Sequence, residues 1–204
     1  MNKLIKELNI SNLNKIKQAI LQDKIIGFPT ETVYGIGAGI YSENALNKIF
    51  EIKNREKTKS FIVHISRPED VYKVAKDVPE IFYKIYEKFF PGPLTVILYK
   101  KDGLAKNISS NDKIAIRMPD SKKTLELIDF LDSPIVGTSA NFSNEKPYTN
   151  ALDVLNAFEN KLEFVVDGGE SQVKIPSTII DITDSDFKII RQGVIKKEEI
   201  LQII

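Results

Sequence analysis

Cysteine is absent from this chain of 204 residues, and histidine occurs once, as His64. Without cysteine the chain can form no disulfide, no thiolate nucleophile and no cysteine-ligated zinc site. A single histidine also excludes a metal centre built from several imidazoles. The chemistry of the protein must therefore come from hydroxyl, amide, carboxylate and cationic side chains, with one imidazole at most.

Long hydrophobic runs are also missing. The N-terminal segment contains no apolar run of signal-peptide length, and no stretch of 18 apolar residues occurs anywhere in the chain. We therefore expect a cytoplasmic protein that does not associate with membranes.

The chain also lacks an excess of charge of either sign. Lys and Arg together number 29 and Asp and Glu number 28, which leaves a formal net charge of +1. A protein that coats nucleic acid gains most of its affinity by neutralising phosphates, so this balance argues against such a role. A small basic patch is still compatible with a total charge close to zero.

Apolar segments alternate with helical patterns along the chain. Its length fits one domain over residues 1–204, on a prior of roughly 100–200 residues per domain. Helices are expected to begin near Ser11 and Ser42, because either hydroxyl can cap a first turn. Short apolar runs predict strands at 24–28, 61–65, 94–99, 113–118, 134–137, 163–166, 177–182 and 187–191. Strands and helices interleave early and strands cluster late, which predicts an α/β domain with a mixed sheet.

The first segment that could carry chemistry is Pro29-Thr30-Glu31-Thr32-Val33-Tyr34-Gly35-Ile36-Gly37-Ala38-Gly39. Its glycine spacing does not match the dinucleotide-binding pattern G-x-G-x-x-G, and the chain contains no Walker-type phosphate loop. The segment is either a turn-rich connection or, given its two threonines and its tyrosine, one wall of a small-molecule pocket.

The second segment is a run of cations, Lys53-Asn54-Arg55-Glu56-Lys57-Thr58-Lys59. Such a run suits polyphosphate, because guanidinium forks two phosphate oxygens and ammonium supplies a point charge. It is equally typical of a solvated helix end, where cations complement the helix dipole. The run alone leaves both interpretations open.

Polar residues in or after the predicted strands form a third group. His64 lies in an apolar strand and has no sequence-level partner for base catalysis. Ser139 and Asn141 follow one strand, and Arg117 and Arg191 lie at the ends of two others. Ligands of α/β sheets bind outside the carboxyl ends of the strands, so these side chains are candidates for anion binding. Each of them could also be an ordinary turn or ion-pair residue.

In chain order the segments contain Pro-Thr-Glu-Thr-Val-Tyr-Gly-x-Gly, Lys-x-Arg, Val-His-Ile, Pro-Gly-Pro-Leu-Thr, Ile-Arg-x-Pro, Gly-Thr-Ser-Ala-Asn and Pro-Ser-Thr. From about residue 10 to residue 193, this set closely resembles the single-domain threonylcarbamoyl-AMP synthases of the YrdC/Sua5 family. The resemblance implies a YrdC-like fold: an open, twisted, mixed α/β sheet with surrounding helices and a concave cationic cavity. It also implies a nucleotidyltransferase that converts L-threonine, bicarbonate and ATP to threonylcarbamoyl-AMP and pyrophosphate.

The resemblance further assigns residues by motif. The threonine side is expected to contain Thr32, His64 and Ser177. The ATP side is expected to contain Lys53, Arg55, Lys59, Arg117, Ser139, Asn141 and Arg191, of which Lys53 and Arg55 are the expected catalytic residues. Mg²⁺ is expected to arrive with ATP, held mainly by phosphate oxygens rather than by a metal site of the protein.

The implied partners are the proteins that transfer the threonylcarbamoyl group to tRNA. Weak binding of tRNA itself is also expected. Two other functions remain open. One is an RNA-binding or ribosome-maturation factor of the same fold, although the strands lack the interleaved aromatic and basic residues that bind single strands. The other is a carbamoyl-adenylate-forming domain, which normally lies inside a much longer chain.

Overall fold

The structure, a computed structural model, describes residues 3–184 and 187–203. The helices are α1 (Ile10–Leu21), α2 (Glu43–Lys53), α3 (Val71–Val74), α4 (Ile81–Phe89), α5 (Lys122–Leu131), α6 (Ala151–Ala157) and α7 (Lys197–Leu201), with 3-10 turns at Pro68–Asp70 and Lys106–Ile108. The strands are β1 (Leu4–Ile5), β2 (Ile26–Phe28), β3 (Gly35–Gly39), β4 (Ile62–His64), β5 (Ala75–Lys76), β6 (Leu94–Lys100), β7 (Lys113–Arg117), β8 (Ile135–Ser139), β9 (Phe164–Val166), β10 (Thr178–Asp181) and β11 (Lys188–Arg191). Within these residues no helix is both long and apolar enough to span a bilayer.

All of these strands join one sheet, in the order β1-β9-β2-β3-β8-β4-β7-β6-β10-β11, with β5 paired to β6 outside that order. The pairs β1–β9, β9–β2, β4–β7 and β6–β10 are parallel, and the other pairs are antiparallel. The two outer strands do not pair with each other, so the sheet is open. This architecture confirms the expected open, mixed α/β sheet with surrounding helices.

One face of the sheet is packed into the larger apolar cluster. Val63 of β4 and Ile116 of β7 are register partners and point to this face, since side chains alternate along each strand. They join Leu46 of α2 and Phe82 of α4 in the same cluster, and each of these side chains is fully buried. These helices therefore cover that face.

The opposite face is only partly covered. Phe28 of β2 and Ile135 of β8 pack there with Ile16 of α1 and Leu127 of α5 in a second apolar cluster. The residues of β4, β7 and β10 on the same face open to a cavity instead. The two helices therefore leave part of the sheet accessible to a ligand.

Strand β3 corrects one expectation, because the glycine-rich segment is not simply a turn-rich connection. Gly35–Gly39 is an inner strand, paired with β2 on one side and β8 on the other. A Cβ atom on Gly35 or on Gly137 would lie 2.6 Å from Cζ of Phe28. The glycines therefore make room for the Phe28 ring to lie across the neighbouring strands.

The two predicted helix starts had different outcomes. Ser42 is the N-cap of α2, and its hydroxyl accepts from the backbone N of Ala45 at 3.0 Å, which confirms the prediction. Ser11 is not the N-cap of α1, because Asn9 takes that position and accepts from the backbone N of Asn12 at 3.0 Å. Asparagine caps a helix as well as serine does, so the helix begins earlier than the serine indicated.

Candidate active site

A cavity of about 520 Å³ opens on the uncovered part of the sheet. This volume lies within the range of roughly 300–1,000 Å³ that is typical of small-molecule sites. Apart from Lys53 and Lys59, the wall of the cavity contains all of the predicted site residues: Thr32, Arg55, His64, Arg117, Ser139, Asn141, Ser177 and Arg191. Residues from distant parts of the sequence therefore meet at one site.

Strand pairing explains how these residues meet. His64 at the end of β4 is the register partner of Arg117 at the end of β7. Ile179 of β10, two residues after Ser177, is the register partner of Arg191 in β11. Partners in register project to the same face, and Ser177 lies two residues before Ile179 on that face. The pairing therefore places His64 beside Arg117, and Ser177 close to Arg191, along the cavity.

Arg117 is held by three partners. Its Nη2 forms an ion pair of 2.6 Å with Oε1 of Glu31, its Nη1 donates to Oγ1 of Thr32 at 3.0 Å, and its Nε donates to the carbonyl of Gly92 at 3.2 Å. The side chains of Arg117 and Glu31 are only 5% and 10% exposed. Glu31 is fixed in turn, because its Oε2 accepts from the backbone N of Asp120 at 3.1 Å. The guanidinium is thus preorganised and need not move when an anion binds.

His64 is buried and uncharged. Burial, with a smaller effect from the positive charge of Arg117, lowers the pKa of His64 to about 3. Its ring meets the Phe28 ring edge to face at 5.1 Å, and its Nδ1 has no hydrogen-bond partner among the described residues. A neutral imidazole presents one donor and one acceptor, but so weak a base is poorly matched to proton abstraction near neutral pH. The environment of His64 therefore suits hydrogen bonding to a ligand.

Ser177 connects two neighbouring side chains at the cavity. Its Oγ lies 2.8 Å from Oγ1 of Thr95 and accepts from Nη2 of Arg191 at 3.1 Å. Arg191 also donates to the carbonyl of Ser177, from Nε at 3.1 Å and from Nη2 at 2.9 Å. The Arg191 guanidinium is therefore oriented by the backbone of the segment that precedes β10.

Arg55 is the cation of the basic run that lines the cavity. Its Nη2 donates to the carbonyl of Ser60 at 2.9 Å, and its guanidinium lies over the ring of Phe61 at 5.5 Å from the centroid. Burial lowers the pKa of Arg55, and the charge of Glu56 partly offsets this. Arg55 is thus a partly buried group with fixed contacts, not a freely solvated side chain at a helix end.

The two lysines of the predicted ATP side lie elsewhere. Lys53 is only 2% exposed, and its Nζ donates to the carbonyls of Ser139 and Asn141 at 2.6 and 2.5 Å. Burial, with a contribution from the charge of Arg55, lowers the pKa of Lys53 to about 7. Lys59 is half exposed and lies 3.6 Å from Glu56. The basic run therefore brings Arg55 to the cavity, places Lys53 behind its wall and leaves Lys59 outside.

Thr30 and Glu31 support the site, although neither was among the site residues that the motifs assigned. Oγ1 of Thr30 lies 2.9 Å from Oγ1 of Thr32, donates to the carbonyl of Val33 at 2.6 Å and accepts from its backbone N at 3.2 Å. Glu31 holds Arg117, as described above. Both residues belong to the Pro-Thr-Glu-Thr motif, so the motif was the signal, but only the structure shows what each one contacts.

The cavity is positively charged. Three guanidinium groups line it, and its described lining residues include no carboxylate, since Glu31 lies behind Arg117. The remaining polar groups are hydroxyls, one amide and one imidazole. In the described parts of the chain, no three His, Asp or Glu side chains are grouped so that they could hold a metal ion. The site is thus equipped to bind a small polar molecule beside a polyanion.

Comparison with known proteins yields relatives over most of the chain. Threonylcarbamoyl-AMP synthase from Pyrococcus abyssi is 39% identical over 186 residues, which cover 91% of this chain and 55% of that protein. A putative threonylcarbamoyl-AMP synthase from Methanocaldococcus jannaschii is 38% identical over 200 residues, which cover 95% of this chain and 94% of that protein. The chain thus spans about half the length of the first relative and nearly all of the second.

A solved structure and a family model agree with the sequence comparison. The crystal structure of P. abyssi Sua5 complexed with L-threonine superimposes with a TM-score of 0.92 at 36% identity, over 98% of this chain and 60% of that one. The Sua5/YciO/YrdC family model, which carries the description "Telomere recombination", matches residues 18–193. On these grounds, the chain is a member of the Sua5/YciO/YrdC family.

Proposed function

We propose that this chain catalyses the synthesis of L-threonylcarbamoyl-AMP from L-threonine, bicarbonate and ATP, with release of pyrophosphate. The observation that carries the proposal is that one cavity is lined by both residue sets that the family motifs predict, apart from Lys53 and Lys59. The activity named for the P. abyssi and M. jannaschii relatives supports it. The enzyme class that follows is a nucleotidyltransferase, because an adenylyl group is transferred to a carbamate.

Threonine is proposed to bind beside Thr32, His64 and Ser177. The Thr32 hydroxyl and the neutral imidazole are both buried and offer both donors and acceptors. A neutral His64 can hydrogen-bond a substrate hydroxyl or amine without repelling an ammonium group. Arg117 donates to Thr32 at 3.0 Å, and the donors of its guanidinium that Glu31, Thr32 and Gly92 do not use are available to a carboxylate or a carbamate.

ATP is proposed to bind along Arg55, Ser139, Asn141 and Arg191, with Arg117 between the two sides. The amine of threonine and bicarbonate give a carbamate and water. A carbamate oxygen then attacks the α-phosphorus of ATP, a new P–O bond forms, and the bond to the β-phosphate oxygen breaks to release pyrophosphate. The residues present serve mainly to align the reactants and neutralise charge, which is how phosphoryl-transfer sites lower their barriers.

Magnesium is proposed to enter with the triphosphate and not as a resident cofactor. The polar side chains that line the cavity are guanidinium, hydroxyl, amide and imidazole groups, and Glu31, next to the lining residue Thr32, is paired with Arg117. Such a cavity fits a cation that is held mainly by phosphate oxygens. When bound, Mg²⁺ would neutralise charge that builds up on the leaving pyrophosphate.

The product is proposed to serve the threonylcarbamoyl modification of tRNA. It would pass to the proteins that transfer this group, and weak binding of tRNA by this chain would assist the transfer. We propose a cytoplasmic location as well, where such a tRNA modification would take place.

The test is a pyrophosphate-release assay in which ATP, L-threonine and bicarbonate are omitted one at a time. We expect release only when all three are present. Equal release without threonine would contradict the proposal and favour a carbamoyl-adenylate-forming activity. Absence of release, together with tight RNA binding, would favour an RNA-binding factor.

The amino-acid preference gives a second readout in the same assay. Serine lacks only a methyl group of threonine, which is worth about 1–3 kcal/mol in a fitted pocket, so it should react less efficiently. Glycine should react more slowly still, because polar groups such as Thr32 would lose their partner. Equal turnover of the three amino acids would refute the threonine side of the site.

A further inference from the structure

The side chain of Lys53 uses all of its hydrogen-bonding capacity on one turn. An ammonium has three N–H donors. Nζ of Lys53 donates to the carbonyl of Ser139 at 2.6 Å, to the carbonyl of Asn141 at 2.5 Å and to Oδ1 of Asn141 at 3.0 Å. No donor of this ammonium is left for a ligand in the cavity.

The backbone of Lys53 contacts the same turn. Its carbonyl accepts from the backbone N of Ser143 at 3.0 Å, so the two ends of residues 139–143 are both bonded to this one residue. Within the turn, Oγ of Ser139 donates to Oδ1 of Asn141 at 2.6 Å. Ser139 and Asn141 line the cavity, whereas Lys53 does not. Lys53 therefore lies behind the cavity wall and is hydrogen-bonded to the turn that forms part of that wall.

Burial makes this arrangement sensitive to any change in the turn. Taking an ammonium out of water costs several kcal/mol unless polar partners replace its hydration. With Lys53 only 2% exposed, its three oxygen acceptors must supply that replacement. A displacement of Ser139 or Asn141 would leave buried N–H groups of Lys53 without acceptors, so these hydrogen bonds resist the displacement.

We propose that Lys53 is a positioning residue, which fixes the 139–143 turn so that Ser139 and Asn141 face the cavity, and that it does not contact ATP phosphates. This inference rests on the proposed function only for its kinetic consequence. It separates Lys53 from Arg55, which lies two residues further along the chain and lines the cavity itself.

The first test is hydrogen–deuterium exchange of the ligand-free protein. We compare wild type with Lys53→Met, which keeps a long side chain without donors, and with Lys57→Met, which changes an exposed lysine of the same basic run. In Lys53→Met, the amides of residues 138–146 should exchange about tenfold faster or more, because local opening becomes easier. Lys57→Met should match wild type. Unchanged exchange in Lys53→Met would overturn the proposal, since a residue that only contacts ATP has no effect before ATP is bound.

The second test is the kinetic effect in the pyrophosphate-release assay. Lys53→Met should raise the KM for ATP about tenfold or more through misplacement of Ser139 and Asn141, and should leave the KM for threonine within about twofold. Unchanged KM values despite faster exchange, or an equal rise of both, would overturn a positioning role.

A third measurement uses the unmodified protein in case Lys53→Met does not fold. Lys53 is the one buried lysine of the described residues, so at a pH below its pKa of about 7 its ammonium protons should exchange slowly enough to give a resolved ¹H–¹⁵N signal. We expect that signal without ligand and with little change on addition of inorganic tripolyphosphate. A signal that appears only with tripolyphosphate would show direct contact and overturn the proposal. If wild type releases no pyrophosphate, the proposed function fails, while the exchange and ammonium measurements still decide the role of Lys53.

Discussion

The buried imidazole of His64 makes the stability of this protein depend on pH in a way that can be measured. Its pKa is lowered from 6.5 to about 3 in the folded protein. Between these values the unfolded chain binds a proton that the folded protein does not bind. Stability must therefore fall as the pH drops below 6.5, and the contribution of His64 is fully retained above it.

The expected change in the free energy of unfolding follows from this pKa difference. Lowering the pH from about 7.5 to about 5.5 changes the folding equilibrium about tenfold through His64, which is about 1.4 kcal/mol. Lys53 adds pH dependence of the same sign, because its pKa is lowered from 10.5 to about 7. Carboxylates also contribute at the acidic end. The contribution of His64 must therefore be isolated by a difference between two proteins.

The assay is urea denaturation of wild type and of His64→Gln at both pH values. Since the chain has no other histidine, the substitution removes the only imidazole, and Lys53 and the carboxylates cancel in the difference. Wild type should lose about 1.4 kcal/mol more than His64→Gln on acidification. Equal losses in the two proteins would show that His64 is protonated normally in the folded state and would refute this account of its environment.

Three further predictions concern the packing and the charges around the cavity. Gly35→Ala should lower the free energy of unfolding by about 1–3 kcal/mol, because its Cβ would lie 2.6 Å from Cζ of Phe28; an unchanged urea midpoint would contradict this packing. Glu31→Ala should lower the free energy of unfolding by roughly 3 kcal/mol, because Arg117 would stay buried without its ion-pair partner. If urea denaturation showed no loss of stability, the ion pair would have to be solvated. Arg55→Ala should reduce pyrophosphate release by about 10²–10³-fold, with partial recovery in Arg55→Lys, whereas full activity of the alanine variant would remove Arg55 from the site.

Local patterns in the sequence were sufficient for most of the individual elements. The Ser42 hydroxyl at a helix start and the apolar run at 61–65 are each readable from neighbouring residues, since caps and strand alternation depend on local geometry. The same applies to the polar residues at strand ends, which the structure brings to the cavity. The segment Gly35–Gly39 was not readable as a strand, because Gly35 and Gly37 make room for the Phe28 ring of another strand.

Residue type and motif order determined which side chains were candidates for the site, but tertiary structure decided what each one does there. Lys53, Arg55 and Lys59 are equivalent cations in the sequence, yet one is bonded behind the wall, one lines the cavity and one is exposed. His64 is an ordinary histidine by sequence, and its low pKa arises only from burial and from the charge of Arg117. The physical reason is that burial, strand order and charge proximity depend on contacts between residues far apart in the chain, whereas the sequence pattern records only near neighbours.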